Sequence, residues 1–521
     1  MNAKTSLDGL GLSNKMLKNI GPQAKNIVLE LFNRFLREED VPSLWKHSII
    51  TMIHKSGQDS NNVNAYRPIS TTPCLARLFE RMVLQRLNIF LKVNAIIIIN
   101  QSGFRKARQT KDNLLYIIQN AQEAFNSNEK SCTVFFDVAA AFDKVWHNGL
   151  IHKLVELKVP YYLIMIIKKF LENRTFVVKI DGTESGIYFI FCGVPQGGVL
   201  SPTLFSIFIN DIPMAEDSKE ITLLFADDLV YQLRYTYKNK NKMLLDAKAV
   251  ASCKVQLYLN RLENWMNNWH LTLATKKCGQ LTLSRSHGNE ESEELNIKLY
   301  NEKIPLEKNP KFLGIIFDRR LTFSSHFDQV DKKLTDRLNI LKILSYDQNW
   351  RLNTITLIRI FKSLVRSVID YACVTSIACN KDIVKHYETL QNDALRIIFK
   401  KNVLDHIKIE DLRNWAGVTS VADRHKELLS RYYERAIISN NPLIKILFEN
   451  YKKFKERNYL NVNLAVNEEG IVDIETVNFI RNHNRLELRK KEIHPTTLCG
   501  SKDIIKEYVL DDYVVGGEGF T

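Results

Sequence analysis

The sequence predicts an α+β fold followed by a mostly α-helical region, and three observations support this. Between residues 46 and 317, β-branched and aromatic runs alternate with segments whose apolar residues recur at helical spacing. From 327 to 440 the helical spacing is almost continuous, as in LNTITLIRIFKSLVRSVIDYA. The run LLFADDLVYQL has two aspartates between apolar stretches, which is typical of a hairpin with an acidic tip.

The first elements are predicted, in chain order, as a helix, a strand and two helices. AKNIVLELFNRFL repeats apolar residues every three or four positions and therefore indicates a helix. HSIITMIHKSG is typical of a strand that runs into a turn. PCLARLFERMVLQRLNIFL indicates a helix with proline near its first turn, and KDNLLYIIQNAQEAF indicates another helix.

The middle of the chain mixes strands with helices. SCTVFFDVAAAFDKV begins as a buried strand at 133–136, and we predict that it turns helical after Asp137. TFVVKIDGTESGIYFIFCGV is predicted as a hairpin around Asp181-Gly182, and SPTLFSIFINDI as a helix. ITLLFADDLVYQL is predicted as strand, tight turn and strand, and KVQLYLNRLENWMNNWHLTL as a long helix followed by a strand.

Length, composition and net charge indicate the number of domains, the kind of partner and the compartment. A chain of 521 residues is typical of about two to four domains. The net charge of +15 favours a polyanionic partner, first nucleic acid and second an anionic membrane surface. The alternative is that the basic residues only form a solvated surface. The eight cysteines include no Cys-x-x-Cys pair, so we expect a reducing compartment. Since the start lacks an apolar signal segment and no apolar run is long enough to cross a bilayer, we expect an intracellular protein without a membrane partner.

Three aspartates form the strongest candidate for a chemical site. Asp137 ends an apolar strand, and Asp227 and Asp228 occupy the predicted hairpin tip. If the strand and the hairpin pair, their carboxylates converge and repel one another unless a cation offsets the charge. Mg²⁺ prefers such oxygen ligands, and two ions about 3.5–4 Å apart suit in-line phosphoryl transfer. Asp-Asp alone is common in ordinary turns, but the order FFDVAAAFD, GVPQGGVLSPTLF and LFADDLV favours a catalytic site.

Several long motifs occur in one order along the chain. They are LDGLGLSNKMLKNI, WKHSIITMIHKSG with AYRPIS, NQSGFRKARQTKDNL, FFDVAAAFDKVWHNGL, GVPQGGVLSPTLFSIFINDIP, LFADDLV, the KKC of LTLATKKCGQL, and KFLGIIFD. Together they resemble the reverse transcriptases of non-LTR retrotransposons, especially the jockey-like group, from about residue 8 to at least 395. The resemblance implies RNA-templated DNA synthesis from a primer 3′-hydroxyl.

The resemblance implies a role for each matching residue. The metal-binding, catalytic carboxylates are Asp137, Asp227 and, less directly, Asp228, and Lys277 resembles a lysine that protonates pyrophosphate. Two Mg²⁺ ions, or Mn²⁺ in their place, are the implied cofactors. Lys277 is equally well explained as a surface lysine.

Nucleotide and template contacts are implied for seven further residues. Those for the dNTP are Lys55, Arg67, Phe142 and Gln196, and those for the template are Gly103, Phe104 and Arg105. Phe142 resembles the steric gate that excludes a 2′-hydroxyl. Simpler readings stay open: Phe142 and Phe104 as core aromatics, Gln196 as a turn amide that caps the next helix, and Lys55 as a solvated lysine.

The resemblance also implies a domain plan. It is a right-hand polymerase fold with an N-terminal helical extension at 1–45, fingers and palm at 46–320, a helical thumb at 321–445 and a partly basic C-terminal tail of unknown role at 446–521. Full-length elements carry an endonuclease domain ahead of the polymerase, and we expect none within this chain. The implied partners are an RNA template, a DNA primer or target, and dNTPs, in the nucleus or the cytoplasm.

Some positions depart from the family pattern. Ala139 and Ala140 stand where polar or charged residues are usual, and Gly198 stands where serine is usual. Ala274-Thr275 replaces Asn-Pro ahead of the lysine motif. None of these changes removes a metal ligand. They leave open a second hypothesis, in which the chain is a catalytically silent or decayed copy that only binds RNA or RNA–DNA duplexes.

Overall fold

The structure is a computed structural model, and it describes residues 7–55, 57–236, 244–285, 294–346, 352–377, 381–401, 403–439 and 441–445. All of them belong to the first of two compact units, Met1–Tyr459. The predicted C-terminal tail, 446–521, lies outside the described residues. Within the described part of the chain, no helix combines the length and the apolar character that crossing a bilayer requires.

The described α-helices are numbered in chain order. They are α1 (Asn14–Asn19), α2 (Pro22–Glu38), α3 (Cys74–Val93), α4 (Thr110–Asn126), α5 (His147–Glu156), α6 (Tyr161–Leu171), α7 (Ser201–Phe208), α8 (Leu244–Asn268), α9 (Ser324–Tyr346), α10 (Thr354–Phe361), α11 (Ser367–Tyr371), α12 (Lys381–Phe399), α13 (Ile409–Ala416) and α14 (Val421–Ile438).

The described strands are numbered in the same way. They are β1 (His47–His54), β2 (Tyr66–Thr71), β3 (Glu129–Phe136), β4 (Arg174–Ile180), β5 (Thr183–Glu184), β6 (Tyr188–Ile190), β7 (Glu220–Phe225), β8 (Asp228–Thr236), β9 (Gly279–Leu283), β10 (Lys298–Leu299), β11 (Glu302–Lys303), β12 (Lys311–Phe312) and β13 (Ile315–Ile316).

The central sheet has four antiparallel strands in the order β7-β8-β3-β9. Its strands carry buried apolar residues on both faces because helices cover both. One face, with Val134 and Tyr231, packs against α3, α5, α6, α7 and α8. The other face, with Phe135 and Val230, packs against α4 and against residues from the C-terminal helical region such as Tyr432.

A second sheet lies earlier in the chain and has the order β2-β1-β4-β5, with β6 also paired to β4. Strands β1 and β4 are parallel, and the other pairs are antiparallel. The predicted hairpin at Asp181-Gly182 is confirmed, since Ile180 pairs with Thr183 across it. Asp181 and Gly182 both have positive φ, at 48° and 86°, as a tight hairpin requires.

The C-terminal helices enclose a core of their own. Leu334 of α9, Phe361 of α10, Leu395 of α12, Leu412 of α13 and Val421 of α14 are buried together. This confirms the mostly helical character predicted for the region after residue 327. Helix α14 also continues into the core beneath the central sheet, through Tyr432 and Ala436.

Two local predictions are wrong: the strand expected at the end of KVQLYLNRLENWMNNWHLTL is only an isolated bridge at Leu273, and the helix expected after Asp137 is absent. No helix begins directly after Asp137; a short 3₁₀ turn spans Ala141–Lys144, and α5 starts only at His147. The physical reason is pairing with a distant segment, because Val138 forms a bridge with Leu273 and the Ala139 amide donates to the Thr272 carbonyl at 2.9 Å. Ala140 then adopts a left-handed conformation, with φ of 51°, which a continuous helix excludes.

Candidate active site

The sheet register brings the three predicted aspartates to one end of the central sheet. Phe136 of β3 pairs with Leu229 of β8, so Asp137 and Asp228 follow as the next positions along the two strands. Phe225 pairs with Asp228 across the β7–β8 turn, whose tip is Ala226-Asp227. The Asp137 carbonyl also accepts a hydrogen bond from the Ala274 amide at 2.8 Å, which fixes the backbone there.

The three carboxylates influence one another electrostatically. Desolvation, and then the negative charge of Asp137, raise the pKa of Asp227. Desolvation, followed by the charges of Asp227 and Asp137, raises the pKa of Asp228 to about 6. Asp228 lies at the exposed start of β8. The contributions of the neighbouring carboxylates to both shifts in pKa show that negative charge is crowded at the sheet end.

Lys277 lies beside this cluster, as the resemblance implies. It ends a 3₁₀ turn, Thr275–Lys277, that directly precedes β9. Its Nζ atom is 3.0 Å from Asp137 Oδ2, and both side chains are exposed to solvent. The Lys277 ammonium group therefore reaches Asp137 from the segment just before β9, the strand that borders β3.

The donor atoms at this sheet end suit a hard divalent cation. All are carboxylate oxygens, which Mg²⁺ and Mn²⁺ prefer over nitrogen or sulfur ligands. Among the described residues, no three His, Cys, Asp or Glu side chains are arranged as a complete metal site. Mg²⁺ is commonly held by one or two carboxylates together with substrate phosphates and water, so a partial protein shell fits its chemistry.

The turn at 193–198 is joined to the segment after Asp137 by backbone and side chain. The Val194 amide donates to the Phe142 carbonyl at 2.8 Å. The Gln196 side-chain amide donates to both carboxylate oxygens of Asp143, at 2.9 and 3.0 Å. Burial raises the pKa of Asp143, and the hydrogen bond from Gln196 opposes that rise. Gln196 is thereby oriented by the Asp143 carboxylate.

The same turn also contacts the second sheet. The Ser70 amide of β2 donates to the Gln196 carbonyl at 2.7 Å. Gly197 has φ of 106°, and a Cβ atom there would lie 2.9 Å from the Ser70 carbonyl oxygen. Only glycine fits this contact without displacement, so the turn couples β2 to the carboxylate end of the central sheet.

Phe142 lies on the buried Phe205 of α7, with the ring centroids 4.8 Å apart and the planes 21° from parallel. The edge of Phe104 meets Phe142 at 6.0 Å, and Phe104 is 52% exposed. Phe142 is half-buried, so one part of its ring supports the core while the rest stays accessible. The structure therefore brings the predicted gate and a predicted template residue together.

The two predicted phosphate-binding cations differ in their surroundings. Lys55 follows β1, and its Nζ atom donates to the Asn64 carbonyl at 2.7 Å, which ties down the following loop. Arg67 on β2 is exposed and has no ion-pair partner among the described residues. Arg67 is thus the freer of the two to bind an anion.

The predicted template segment divides into a supporting and an exposed part. Gly103 is buried, and a Cβ atom there would lie 2.2 Å from the Ala226 backbone nitrogen. The Arg105 guanidinium donates to the carbonyls of Ile98 at 2.7 Å and Gln101 at 3.2 Å. Gly103 and Arg105 shape the loop, and Phe104 is the exposed member of the three.

Sequence reasoning missed three residues that shape this region. Gln101 contacts the aspartate turn, Asp143 holds Gln196, and Glu80 of α3 accepts hydrogen bonds from the Val199 and Leu200 amides at 2.7 and 3.2 Å, ahead of α7. The signal for Glu80 was a carboxylate on the apolar face of a helix, which needs donors when buried. Gln101 lies within the motif NQSGFR, and Asp143 lies within AAFDKV.

The chain is similar in sequence to one protein family and to several named polymerases. The family described as reverse transcriptase (RNA-dependent DNA polymerase) matches residues 53–317. The chain is 31% identical over 438 residues to the RNA-directed DNA polymerase from mobile element jockey of Drosophila melanogaster, covering 84% of this chain and 46% of the relative. It is 32% identical over 340 residues to the probable RNA-directed DNA polymerase from transposon BS of the same species, covering 64% and 36%.

The chain spans about half the length of the jockey polymerase that it matches. Among solved structures, telomerase from Candida tropicalis is similar at 13% identity with a TM-score of 0.37, covering 76% of this chain and 74% of that one. The family match supports the right-hand polymerase fold predicted from the sequence, with mixed helices and strands. Since the matched segment is half of the sequence and contains all three aspartates, the chain belongs to the reverse transcriptase (RNA-dependent DNA polymerase) family.

Proposed function

We propose that this chain is the RNA-directed DNA polymerase of a non-LTR retrotransposon, which adds deoxynucleotides to a primer 3′-hydroxyl on an RNA template. The observation that carries the proposal is the placement of Asp137, Asp227 and Asp228 at one end of the central sheet of a reverse transcriptase family member. The names of the jockey and BS relatives support the type of element.

The carboxylates are proposed to hold two Mg²⁺ ions, or Mn²⁺ in their place. When bound, the ions lower the pKa of the primer hydroxyl and neutralise the leaving pyrophosphate. Asp137 and Asp227 are the principal ligands, and Asp228 contributes less directly. Buried neighbours such as Leu224 and Val230 keep these side chains in place, which matters because positioning and charge stabilisation supply most of the rate enhancement. Lys277, at the edge of the cluster, is the proposed proton donor to pyrophosphate.

The incoming nucleotide is proposed to lie between the 193–198 turn and β2. Arg67 would bind the triphosphate, because a guanidinium can bind phosphate bidentately, and Lys55 would assist. Phe142 would lie beneath the sugar, where its ring clashes with a 2′-hydroxyl. Gln196, oriented by Asp143, would contact the nucleotide or the template base.

The template and primer are proposed to lie against the loop at 103–105 and the helical region at 321–445, which would act as the thumb. Its lysines and arginines would bind the phosphate backbone rather than read bases, which suits an enzyme that copies any sequence. The net charge of +15 supports a polyanionic partner of this kind.

A primer-extension assay tests the proposal. Purified full-length chain with poly(rA)/oligo(dT), dTTP and Mg²⁺ is expected to lengthen the primer, and chelation by EDTA is expected to stop it. Duplex affinity is expected to fall steeply between about 50 and 200 mM salt. Intact RNA binding without any extension by the wild-type chain would instead support the second hypothesis, a silent copy that only binds nucleic acid. Ala139, Ala140 and Gly198, which depart from the family pattern, are the observations that favour that alternative.

A further inference from the structure

The turn that carries Asp227 is held by a side chain from a distant part of the sequence. Gln101 Oε1 accepts hydrogen bonds from the Ala226 amide at 3.0 Å and the Gly103 amide at 2.7 Å. Gln101 Nε2 donates to the Ala226 carbonyl at 3.2 Å. One buried side-chain amide, 1% exposed, thus satisfies both backbone groups of the residue before Asp227.

Ala226 needs such support because of its conformation. Its φ of 57° lies in the left-handed region, which is unfavourable for a residue with a Cβ atom. Residues in such strained conformations occur where many surrounding contacts hold the backbone in place, and they are common at functional sites. Since Ala226 and Asp227 form the tip of a two-residue turn, a change at Ala226 redirects the Asp227 side chain.

The segment around Gln101 forms a small frame under the turn. The Ser102 amide donates to the Leu224 carbonyl at 2.9 Å, and the Leu224 amide donates to the Asn100 carbonyl at 3.0 Å. Asn113 Nδ2 of α4 donates to the same Leu224 carbonyl at 2.9 Å. Gly103 lies so close to the Ala226 backbone that a Cβ atom at position 103 would have no room. The outer edge of the central sheet is therefore braced where it carries the catalytic turn.

We propose that Gln101 is a positioning residue, which holds the Ala226-Asp227 turn so that the Asp227 carboxylate faces Asp137 in a geometry able to bind a divalent cation. The proposal rests on the proposed function for its consequence in catalysis. A simpler reading is that Gln101 only satisfies buried backbone groups and contributes stability. The two readings differ in what they predict for cation binding in a variant that is still folded.

The test variant is Gln101→Met, which keeps the length of the side chain and removes its three hydrogen bonds. Gln280→Met is the matched control. Gln280 is also buried and makes three hydrogen bonds to backbone, with the Leu295 carbonyl at 2.9 Å, the Ile304 carbonyl at 2.8 Å and the Leu295 amide at 3.0 Å. Both variants therefore lose comparable contacts, and only one of them loses contacts to the turn.

Two measurements on the full chain without nucleic acid decide the proposal. Mn²⁺ binding is followed by electron paramagnetic resonance. Binding that the wild-type chain shows and Asp227→Asn lacks is assigned to the aspartate site. Gln101→Met is expected to weaken that binding by about tenfold or more, the usual effect of removing a residue that orients a metal ligand. Hydrogen exchange in the peptide covering 223–229 is expected to be about tenfold faster in Gln101→Met. Gln280→Met is expected to change neither quantity.

Wild-type Mn²⁺ affinity in Gln101→Met would overturn the proposal, as would an equal loss in Gln280→Met, which would indicate general destabilisation. Unchanged exchange at 223–229 would show that Gln101 does not hold the turn. Failure of wild-type primer extension would count against the proposed polymerase activity alone, because neither measurement depends on turnover. A wild-type chain that binds no Mn²⁺ at Asp227 would overturn the positioning role.

Discussion

At the scale of single residues, the site is an arrangement of like charges that the fold brings together and partly compensates. Desolvation and the charge of Asp137 raise the pKa of Asp227, and desolvation and the charges of Asp227 and Asp137 raise the pKa of Asp228. Lys277 supplies one nearby positive charge at 3.0 Å from Asp137. Such a cluster disfavours the ionised state unless cations bind.

Asp227→Asn is expected to reduce primer extension by about 10²-fold or more, because it would remove a carboxylate that we propose holds the cation at the transferring phosphate. Affinity for an RNA–DNA duplex is expected to stay nearly unchanged, since we assign binding of the phosphate backbone to lysines and arginines of the 321–445 region. Extension rates and duplex titrations measure the two. Asp181→Asn is the control, because Asp181 also occupies a hairpin tip and is exposed. Normal polymerisation by Asp227→Asn would refute the site assignment.

Phe142→Ala is expected to raise ribonucleotide incorporation relative to deoxynucleotide incorporation, because the ring would no longer clash with the 2′-hydroxyl. The stability of the chain is expected to fall by about 3 kcal/mol or less, since the half-buried ring stacks on Phe205. The ratio of kcat/KM for dTTP and UTP is the measurement, and it cancels any general loss of activity. An unchanged ratio would leave Phe142 with only its packing role.

At the scale of elements, the site depends on joints between segments that are far apart in sequence. The 193–198 turn contacts the segment after Asp137 and strand β2, and Glu80 of α3 holds the amides ahead of α7. These joints transmit the position of one element to the next because packed interiors adjust little.

Gly197→Ala is expected to destabilise the chain and raise KM for dNTP, because the new Cβ atom would push the turn away from the Ser70 carbonyl. Gly182→Ala is the matched control, since Gly182 also has a positive φ, 86°, but has nothing within 4 Å of a Cβ atom. The control is expected to lose about 1–2 kcal/mol from backbone strain alone. Urea unfolding and KM values measure the difference; equal effects would argue against the joint.

His425→Gln is expected to reduce the pH dependence of stability. His425 of α14 is buried, its Nε2 lies 2.9 Å from the Ile369 carbonyl, and burial lowers its pKa to about 4. The unfolded chain binds this proton near pH 6.5, so the wild type loses stability as pH falls from 7 towards 4, by about 1–2 kcal/mol between pH 7 and 5. Glutamine can still donate to Ile369 and does not titrate. Urea unfolding at both pH values tests this, and parallel losses in the variant would exclude His425 as the source.

At the scale of the whole molecule, hydrogen bonds join the C-terminal helices to the segment 53–317, which matches the reverse transcriptase family. Tyr432 of α14 donates to Asp112 of α4, and Asn441 Nδ2 donates to the same carboxylate at 3.1 Å. Asp112 is 1% exposed, so these donors compensate a buried acceptor. The end of the helical region and the start of α4 therefore support one another across 320 positions of sequence.

Tyr432→Phe is expected to lower the free energy of unfolding by about 1–3 kcal/mol, because it removes a donor from a buried carboxylate. Asp112→Asn in the same chain is expected to recover part of the lost stability. A buried neutral side chain that lacks hydrogen-bond donors is less unfavourable than a buried carboxylate that lacks them. Urea unfolding of the two single variants and the double variant gives the coupling energy. Strictly additive losses would show that the two residues do not cooperate.

Much of the fold and the site could be predicted from the sequence. Periodicity located most helices and strands, including the hairpin at Asp181-Gly182 and the strand–turn–strand around Asp227. It failed after Asp137, where a bridge from Val138 to Leu273 holds the chain extended against its helical pattern. A pairing partner so far along the chain leaves no mark in local spacing, so tertiary contact overrode local propensity.

The residue types at the site and their order along the chain can be read from the sequence, since motifs such as FFDVAAAFD and LFADDLV are local patterns. How these residues are held in place depends on contacts between distant segments. Gln101 contacts Ala226 from 125 positions away, and Gln196 contacts Asp143 from 53 positions away. The physical reason is that hydrogen bonds and close packing act over a few ångströms in space, whereas sequence patterns report only spacing along one strand or helix.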